Sequence, residues 1–371
     1  MTIGIDIRVL ARGTRTGIEE YTFNLLSRLL SLDQNIQFKL FYNAFNKIEL
    51  DYDWVNLPNV QMKKFSYPNR FIFDPLAKFF KLPKIDVLLG GVDVFFIPHF
   101  LLSPVSKKCR KVMTFHDLSF EYFPEFFPAR KRFWHKFLNP RQRALEADKI
   151  IAVSDSTKDD LIDWYGIRPE KIEVIYSGVQ EEFKKLEIKG RYNLPDKFIL
   201  YFGTIEPRKN LVGLIKSYEI FREKSDSDFK LVIAGSRGWL DKKIFFAVEK
   251  SRFSKDIIFT GFVAAEDKVY LYNLASLFVY PSFFEGFGFP PLEAMACGTP
   301  VICSNTSCFP EVSGEAALMV DPYNFSEIAW AIGEVLSDSN LAQSLINKGA
   351  ENIKKFSWDR CAQETLDFLT S

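Results

Sequence analysis

The sequence predicts an α/β protein built from two consecutive doubly wound domains, and three observations carry that expectation. Short β-branched and aromatic runs alternate with amphipathic stretches along the chain, the pattern of βα units around parallel sheets. The rhythm stops in a polar, Glu- and Lys-rich stretch over 180–197 and then restarts. The length of 371 residues corresponds to about two domains at roughly 150 residues each.

In the first half the pattern predicts strands over 2–9, 38–42, 94–98, 111–115, 149–153 and 171–176, with a helix over 18–32. Ser154 is placed to cap a helix beginning near 156, since a Ser oxygen there can accept from an orphan N–H of the first turn. Gly190 and Pro195 make 180–197 the expected linker, with domains over 1–185 and 186–358. The second half predicts strands over 198–202, 230–234, 257–260, 277–279 and 300–304, and helices from about 211, near 267–273 and from 291. Open α/β sheets bind ligands outside the carboxyl ends of their strands. Two such domains facing each other would hold a ligand in the cleft between them.

Composition narrows the function classes. With 47% apolar and 26% charged residues the chain is neither disordered nor collagen-like. Lys and Arg total 48 against 47 for Asp and Glu, so there is no global field to hold a nucleic acid, and an anionic ligand needs a local site. The five cysteines are an odd number, sit mostly in apolar stretches and lack metal-ligand spacing, which argues against disulfide and zinc frameworks and for a reducing cytoplasm. Asp6 and Arg8 fall where a signal peptide needs its apolar core. The longest apolar passage, 92–105, is cut by Asp93, Pro98 and His99 and is shorter than the roughly 20 residues of a membrane span.

Two motifs in the second half carry chemistry. Around Glu285, Gly286, Phe287, Gly288 and Phe289 a strand runs into a glycine-containing loop; Pro290 and Pro291 suit a first helical turn, and Gly298 suits the residue after a helix end. That places Glu293 in the first turn, where the helix dipole favours a carboxylate able to bond a vicinal diol such as a ribose. The glycines let the backbone N–H groups of Phe287, Gly288 and Phe289 approach a ligand closely. The second motif, Arg208 and Lys209 before a helix expected to be capped by Asn210, follows the strand over 198–202. A guanidinium fork beside an ammonium suits a diphosphate. Together the motifs describe both ends of a nucleoside diphosphate; separately each also reads as ordinary surface charge or chain turning.

These residues resemble a known family. Glu285 and Glu293 with seven residues between them, the Pro207-Arg208-Lys209-Asn210 loop, and the segment from Ala147 to Ser154 are similar to the retaining GT-B glycosyltransferases of family 4, a likeness running from Gly4 to the Phe356–Asp359 stretch. The resemblance implies two Rossmann-like domains facing across a cleft, with a final helix over 359–369 packing back on the first domain. It implies that Arg208 and Lys209 bind the donor diphosphate, Glu293 the ribose, and Glu285 with the following amides the donor sugar. Thr204, beside Arg208 and Lys209, joins the donor contacts. The loop holding Gly13 and Gly17 would approach the donor phosphates and acceptor, and His116 would position sugar or acceptor.

The resemblance leans toward mannosyltransferases of bacterial polysaccharide and lipopolysaccharide assembly, with GDP-mannose as donor, no metal or other cofactor, and a glycan or lipid-linked acceptor. Ser177, and Glu19 with Glu20, depart from the family's usual residues and bear on acceptor preference. The Asp51/Asp53 and Asp226/Asp228 pairs match a metal-binding Asp-x-Asp in letters only. Residues 130–143 carry six Lys or Arg, no acid and several aromatics, which suits either peripheral contact with the inner face of a membrane or a solvated helix face. A UDP-sugar enzyme, a GT-B epimerase or phosphorylase, and a noncatalytic nucleotide-sugar-binding subunit remain as alternatives.

Overall fold

The computed structural model describes residues 1–12, 17–45, 50, 52–188 and 194–371. They fall into two compact units, one of Met1–Leu118, Phe133–Gly178 and Ser357–Ser371, the other of Ser119–Arg132 and Val179–Phe356. The division after Gly178 lies seven residues before the expected 185/186 boundary, and Gly190 of the expected linker lies outside the described residues.

The first unit holds seven strands: β1 (Thr2–Asp6), β2 (Gln37–Asn43), β3 (Val60–Phe65), β4 (Val94–Ile97), β5 (Arg110–Phe115), β6 (Lys149–Ala152) and β7 (Ile172–Val174). They form one parallel sheet in the order β3-β2-β1-β4-β5-β6-β7, which reverses direction between β1 and β4. β4 is buried at all four positions and reads as the continuous apolar run of a two-sided parallel strand. Much of the phenylalanine content lies here: Phe38, Phe41, Phe95, Phe96 and Phe115 are fully buried, each worth roughly 1.5–3 kcal/mol of apolar transfer.

β1 ends at Asp6 rather than at 9, because the Arg8 guanidinium turns back to fork onto the Asp6 carboxylate and Leu10 N–H bonds to Ile7 O, starting a tight turn over Arg8–Arg12. β3 had no expected counterpart. Its Val-Gln-Met-Lys-Lys-Phe sequence lies at the sheet edge, where half-exposed faces weaken the hydrophobic signal. Ser154 caps helix Asp155–Tyr165 as expected, accepting from Thr157 N–H. The C-terminal helix Trp358–Thr370 packs on helix Gly17–Leu29, with Tyr21 and Trp358 rings 6.0 Å apart and Arg28 Nε 3.0 Å from Asp359. Arg110 and Lys149 donate to the carbonyls of Ser371 and Phe368 at its end.

The second unit is a parallel sheet of β8 (Phe198–Phe202), β9 (Lys230–Ala234), β10 (Ile257–Gly261), β11 (Leu277–Tyr280), β12 (Val301–Ser304) and β13 (Leu318–Val320), in the order β10-β9-β8-β11-β12-β13. The reversal falls between β8 and β11, so their carboxyl-end loops meet at a switch point. The segment Ser119–Arg132 joins this unit through aromatic contacts that no local pattern foretells: Phe126 stacks on Phe283 at 5.6 Å, Tyr122 lies 5.1 Å from Phe284, and Trp239 Nε1–H donates to Phe126 O.

All five cysteines are buried and unbridged. Among the described residues no helix is long and apolar enough to cross a membrane.

Candidate functional site

The two motifs of the second unit rise from neighbouring strands. β8 leads through Gly203 and the half-buried Thr204 into the turn Pro207–Lys209, and β11 leads into the loop holding Ser282 and Glu285. Because β8 and β11 are adjacent, residues 76 apart in sequence meet: Lys209 Nζ lies 2.5 Å from Glu285 Oε1 and 2.8 Å from the Tyr280 hydroxyl. Arg208 Nη1 is 2.9 Å from Glu285 Oε2 and donates to Phe284 O, while Nη2 is 2.9 Å from Glu206 Oε1. Ser282 Oγ–H donates to Glu285 Oε1 at 2.6 Å.

The cluster therefore holds two cations and two carboxylates. Burial pushes the Glu285 carboxyl up, but Arg208 and Lys209 outweigh it and hold the group at about 2. Burial, reinforced by the Arg208 charge, lowers the Lys209 ammonium from its usual value. A carboxylate offers about four acceptor positions. Oε1 is used by Lys209 and Ser282, and Oε2 by Arg208, which leaves Oε2 room for one further donor such as a sugar hydroxyl.

Two expectations about the local helices are corrected. Asn210 does not cap the following helix Leu211–Lys224 with its side chain; it adopts a left-handed backbone, and its Nδ2 ties the carbonyls of Pro281 and Pro322 together. Its structural work is to join the β8 loop to the β11 loop. Glu293 is not in a first helical turn, because helix Phe289–Ala296 begins at Phe289 and makes Glu293 its fifth residue. The helix dipole falls off within the first turn, so the carboxylate is held otherwise: Lys268 Nζ lies 2.6 Å from Oε1 and the Tyr272 hydroxyl donates to Oε2 at 2.7 Å. Burial and the neighbouring Glu293 charge raise Tyr272 well above its usual value, so it remains a donor.

Gly288 precedes this helix with φ 86°, a backbone that a side chain would strain, and an added Cβ would meet the Phe309 ring at 2.9 Å. Phe287 is buried with its ring against Phe289 and Phe356, so both aromatics pack the loop. Gly298 follows the helix in the left-handed region, its N–H bonding to Met295 O, as a helix end requires.

In the first unit His116 follows β5, its Nε2–H donating to Pro98 O at 2.7 Å, which makes Nδ1 the acceptor nitrogen. Burial pushes the imidazole pKa below its ordinary value, against the opposing effects of that bond, Asp117 and Glu19, so the ring is neutral near pH 7. Tyr21, on the helix that starts at Gly17, packs edge-on against it at 4.7 Å, and the His99 ring lies 5.9 Å away. Gly17 is exposed; Gly13 lies outside the described residues.

Glu206, Lys268, Tyr272 and Ser282 stand out in no sequence motif. Glu206 was within reach, since it stands in the same loop as Arg208; Lys268 and Tyr272 come from a helix with no motif of its own. Asp228 is exposed and paired with Lys197, Asp51 lies outside the described residues, and among the described residues no group of three or more His, Cys, Asp or Glu could hold a metal.

Two doubly wound parallel-sheet units with charged loops at a switch point define a GT-B glycosyltransferase fold. Sucrose-phosphate synthase from Thermosynechococcus elongatus shares it, with a TM-score of 0.79 and 20% identity over 99% of this chain and 98% of that one. The model for glycosyl transferases group 1 matches residues 181–352, and that for Glycosyltransferase Family 4 matches 15–183. The O-antigen chain mannosyltransferase B of Escherichia coli is 35% identical over 282 residues, 74% of this chain and 71% of that protein. The serotype-specific mannosyltransferase WbdA of Escherichia coli is 32% identical over 70% of this chain, which spans a third of that longer protein. The chain belongs to glycosyltransferase family 4, and it is a glycosyltransferase.

Proposed function

We propose that this enzyme transfers mannose from GDP-mannose, with retention and without a metal, to a glycan or lipid-linked saccharide in O-antigen or polysaccharide assembly at the inner face of the membrane. The mannosyl assignment rests on the likeness to the O-antigen mannosyltransferases. The chemical reading is carried by one observation, the Arg208–Lys209–Glu285 cluster on the β8 and β11 loops.

The departing nucleoside diphosphate needs positive charge, and Arg208 and Lys209 supply it as fixed protein cations. The incoming diphosphate competes with Glu206 and Glu285 for the guanidinium, so its two negative charges replace carboxylate contacts already formed. Glu285 offers its remaining acceptor position to a donor-sugar hydroxyl, with the amides of Phe287, Gly288 and Phe289 beside it. Glu293, aligned by Lys268 and Tyr272, takes the ribose diol. Thr204, Gly13 and Gly17 complete the donor contacts. No carboxylate is assigned as nucleophile: the acceptor attacks from the leaving-group face, the diphosphate takes the acceptor proton, and neutral His116 positions sugar or acceptor.

A thermal-shift panel of GDP, UDP, ADP and dTDP tests the donor. A ligand that binds only the native state at about 100 times its Kd adds roughly 2.7 kcal/mol, and GDP is expected to give the largest shift. A UDP response without a GDP response would overturn the mannose assignment; silence from all four and from their sugar conjugates would overturn the nucleotide-sugar reading.

A further inference from the structure

The loop that carries Glu285 is held from both sides, and the two holds differ in kind. β11 lies between β8 and β12 in the sheet, so the loops leaving the carboxyl ends of those strands flank residues 281–285. Four consecutive carbonyls of this loop each accept from a side chain of a flanking loop. On the β8 side, Asn210 Nδ2 donates to Pro281 O at 3.1 Å and Arg208 Nη1 to Phe284 O at 2.6 Å. On the β12 side, Ser304 Oγ–H donates to Ser282 O at 2.6 Å and Thr306 Oγ1–H to Phe283 O at 3.1 Å. The Glu285 N–H then donates to Ser307 Oγ at 3.1 Å. Buried backbone polar groups need partners, and here side chains take the place that a ladder partner has within a strand.

The β8 hold is shared with the proposed chemistry. Arg208 also meets Glu206 and Glu285 and is assigned to the leaving diphosphate, so its grip on Phe284 O is open to competition once a donor binds. The β12 hold consists of neutral hydroxyls, with no charge for a diphosphate to draw away. Within it Ser307 stands apart, because it bonds Glu285 itself and has φ 52°. In that left-handed region glycine is at ease and a Cβ brings a steric cost. The backbone would be served at least as well by glycine. What serine adds is the hydroxyl, which meets the Glu285 N–H.

We infer that Ser307 is a positioning residue for the transfer reaction: its hydroxyl fixes the Glu285 main chain, and so the direction from which the carboxylate meets the donor sugar while Arg208 is engaged with the diphosphate. Ser304 and Thr306 belong to the same clamp. The inference rests on the donor-sugar role proposed for Glu285. Lys209, Arg208 and Ser282 hold the two carboxylate oxygens, but a side chain held only at its tip still moves with its backbone. Ser307 supplies the second point of attachment. A displacement of about 1 Å at a positioned group can cost roughly 100-fold in rate, so a bond to the main chain can matter for turnover without touching the substrate.

The test is kinetics of Ser307→Gly, Glu285→Gln and the double variant, using the nucleotide sugar that the thermal-shift panel selects and reading release of its nucleoside diphosphate. Relief of the left-handed backbone offsets the lost hydrogen bond in Ser307→Gly, so its melting temperature should stay near that of wild type. Its calorimetric Kd for the free nucleoside diphosphate should be unchanged, while kcat falls roughly 10- to 100-fold. Because Ser307 acts through Glu285, the double variant should be hardly slower than Glu285→Gln, a non-additivity that two independent sites do not show. Thr306→Val, which removes the hydroxyl on Phe283 O at nearly constant shape, should lower kcat in the same direction and carries the test if Ser307→Gly does not fold. Normal kcat in the folded variant, or additive losses in the double variant, overturns the inference, and a slow Glu285→Gln then leaves the proposed donor site standing. Normal turnover by Glu285→Gln, or no response to any nucleotide sugar, overturns the donor-sugar reading and the inference with it.

Discussion

Lys209 Nζ and Glu285 Oε1 are 2.5 Å apart in the interior of the second unit, the ammonium from the β8 loop and the carboxylate from the β11 loop. The pair ties together the two loops that the family likeness assigns to the donor. Breaking an isolated buried pair costs about 3–5 kcal/mol; Glu285 keeps Arg208 and Ser282 when Lys209 is lost, so the cost here falls below that range. Lys209→Ala should therefore destabilise the fold as well as slow catalysis, and the double variant Lys209→Ala/Glu285→Gln should recover part of the stability. Urea denaturation of all four members of the cycle measures the coupling; strictly additive losses would dissolve the pair.

Arg208 is half-buried and keeps Glu206 and Glu285 as partners. Arg208→Ala should lower kcat/KM by roughly 10²–10³, about 3–4 kcal/mol of transition-state stabilisation, by analogy with loss of one charge-stabilising donor. Steady-state kinetics on the folded variant decide this. Near-normal turnover would take Arg208 off the leaving group.

Glu285 is held at about 2 against an ordinary value of 4.5. Between these values the unfolded chain takes up a proton that the native state refuses, so the stabilisation present above about 4.5 is lost as pH falls toward 2. The full shift corresponds to about 3 kcal/mol. Denaturation of wild type and Glu285→Gln at pH 7, 5 and 3.5 should show a gap that is constant above 4.5 and narrows below it. A pH-independent gap would contradict the assignment.

Tyr272→Phe removes the hydroxyl that donates to Glu293. Hydrogen bonds to charged groups contribute about 1.5–3 kcal/mol, so affinity for the nucleoside diphosphate should fall roughly tenfold or more while Glu293→Gln weakens it further. Calorimetric titration with GDP reads both, and an unchanged Kd in Tyr272→Phe would detach Glu293 alignment from nucleotide binding.

Activity should survive a metal chelator, since the proposed charge stabilisation comes from Arg208 and Lys209. Loss on chelation, restored by Mn²⁺ or Mg²⁺, would revive a metal-dependent reading.

What the sequence by itself determined was the α/β class, the restart of the rhythm before β8, and the residue types at the two charged loops. These signals are local: strand and helix periods span a few residues, and the Arg208-Lys209 and Glu285-to-Glu293 spacings are contiguous in the chain. The tertiary structure decided who partners whom. Glu293 depends on Lys268 and Tyr272, 25 and 21 residues away, and Glu285 on Lys209, 76 away. Strand order sets those meetings, through the adjacency of β8 and β11. The edge strand β3 and the transfer of Ser119–Arg132 to the second unit were likewise illegible in sequence. Their places follow from packing against residues far along the chain, a contribution that carries no period of its own.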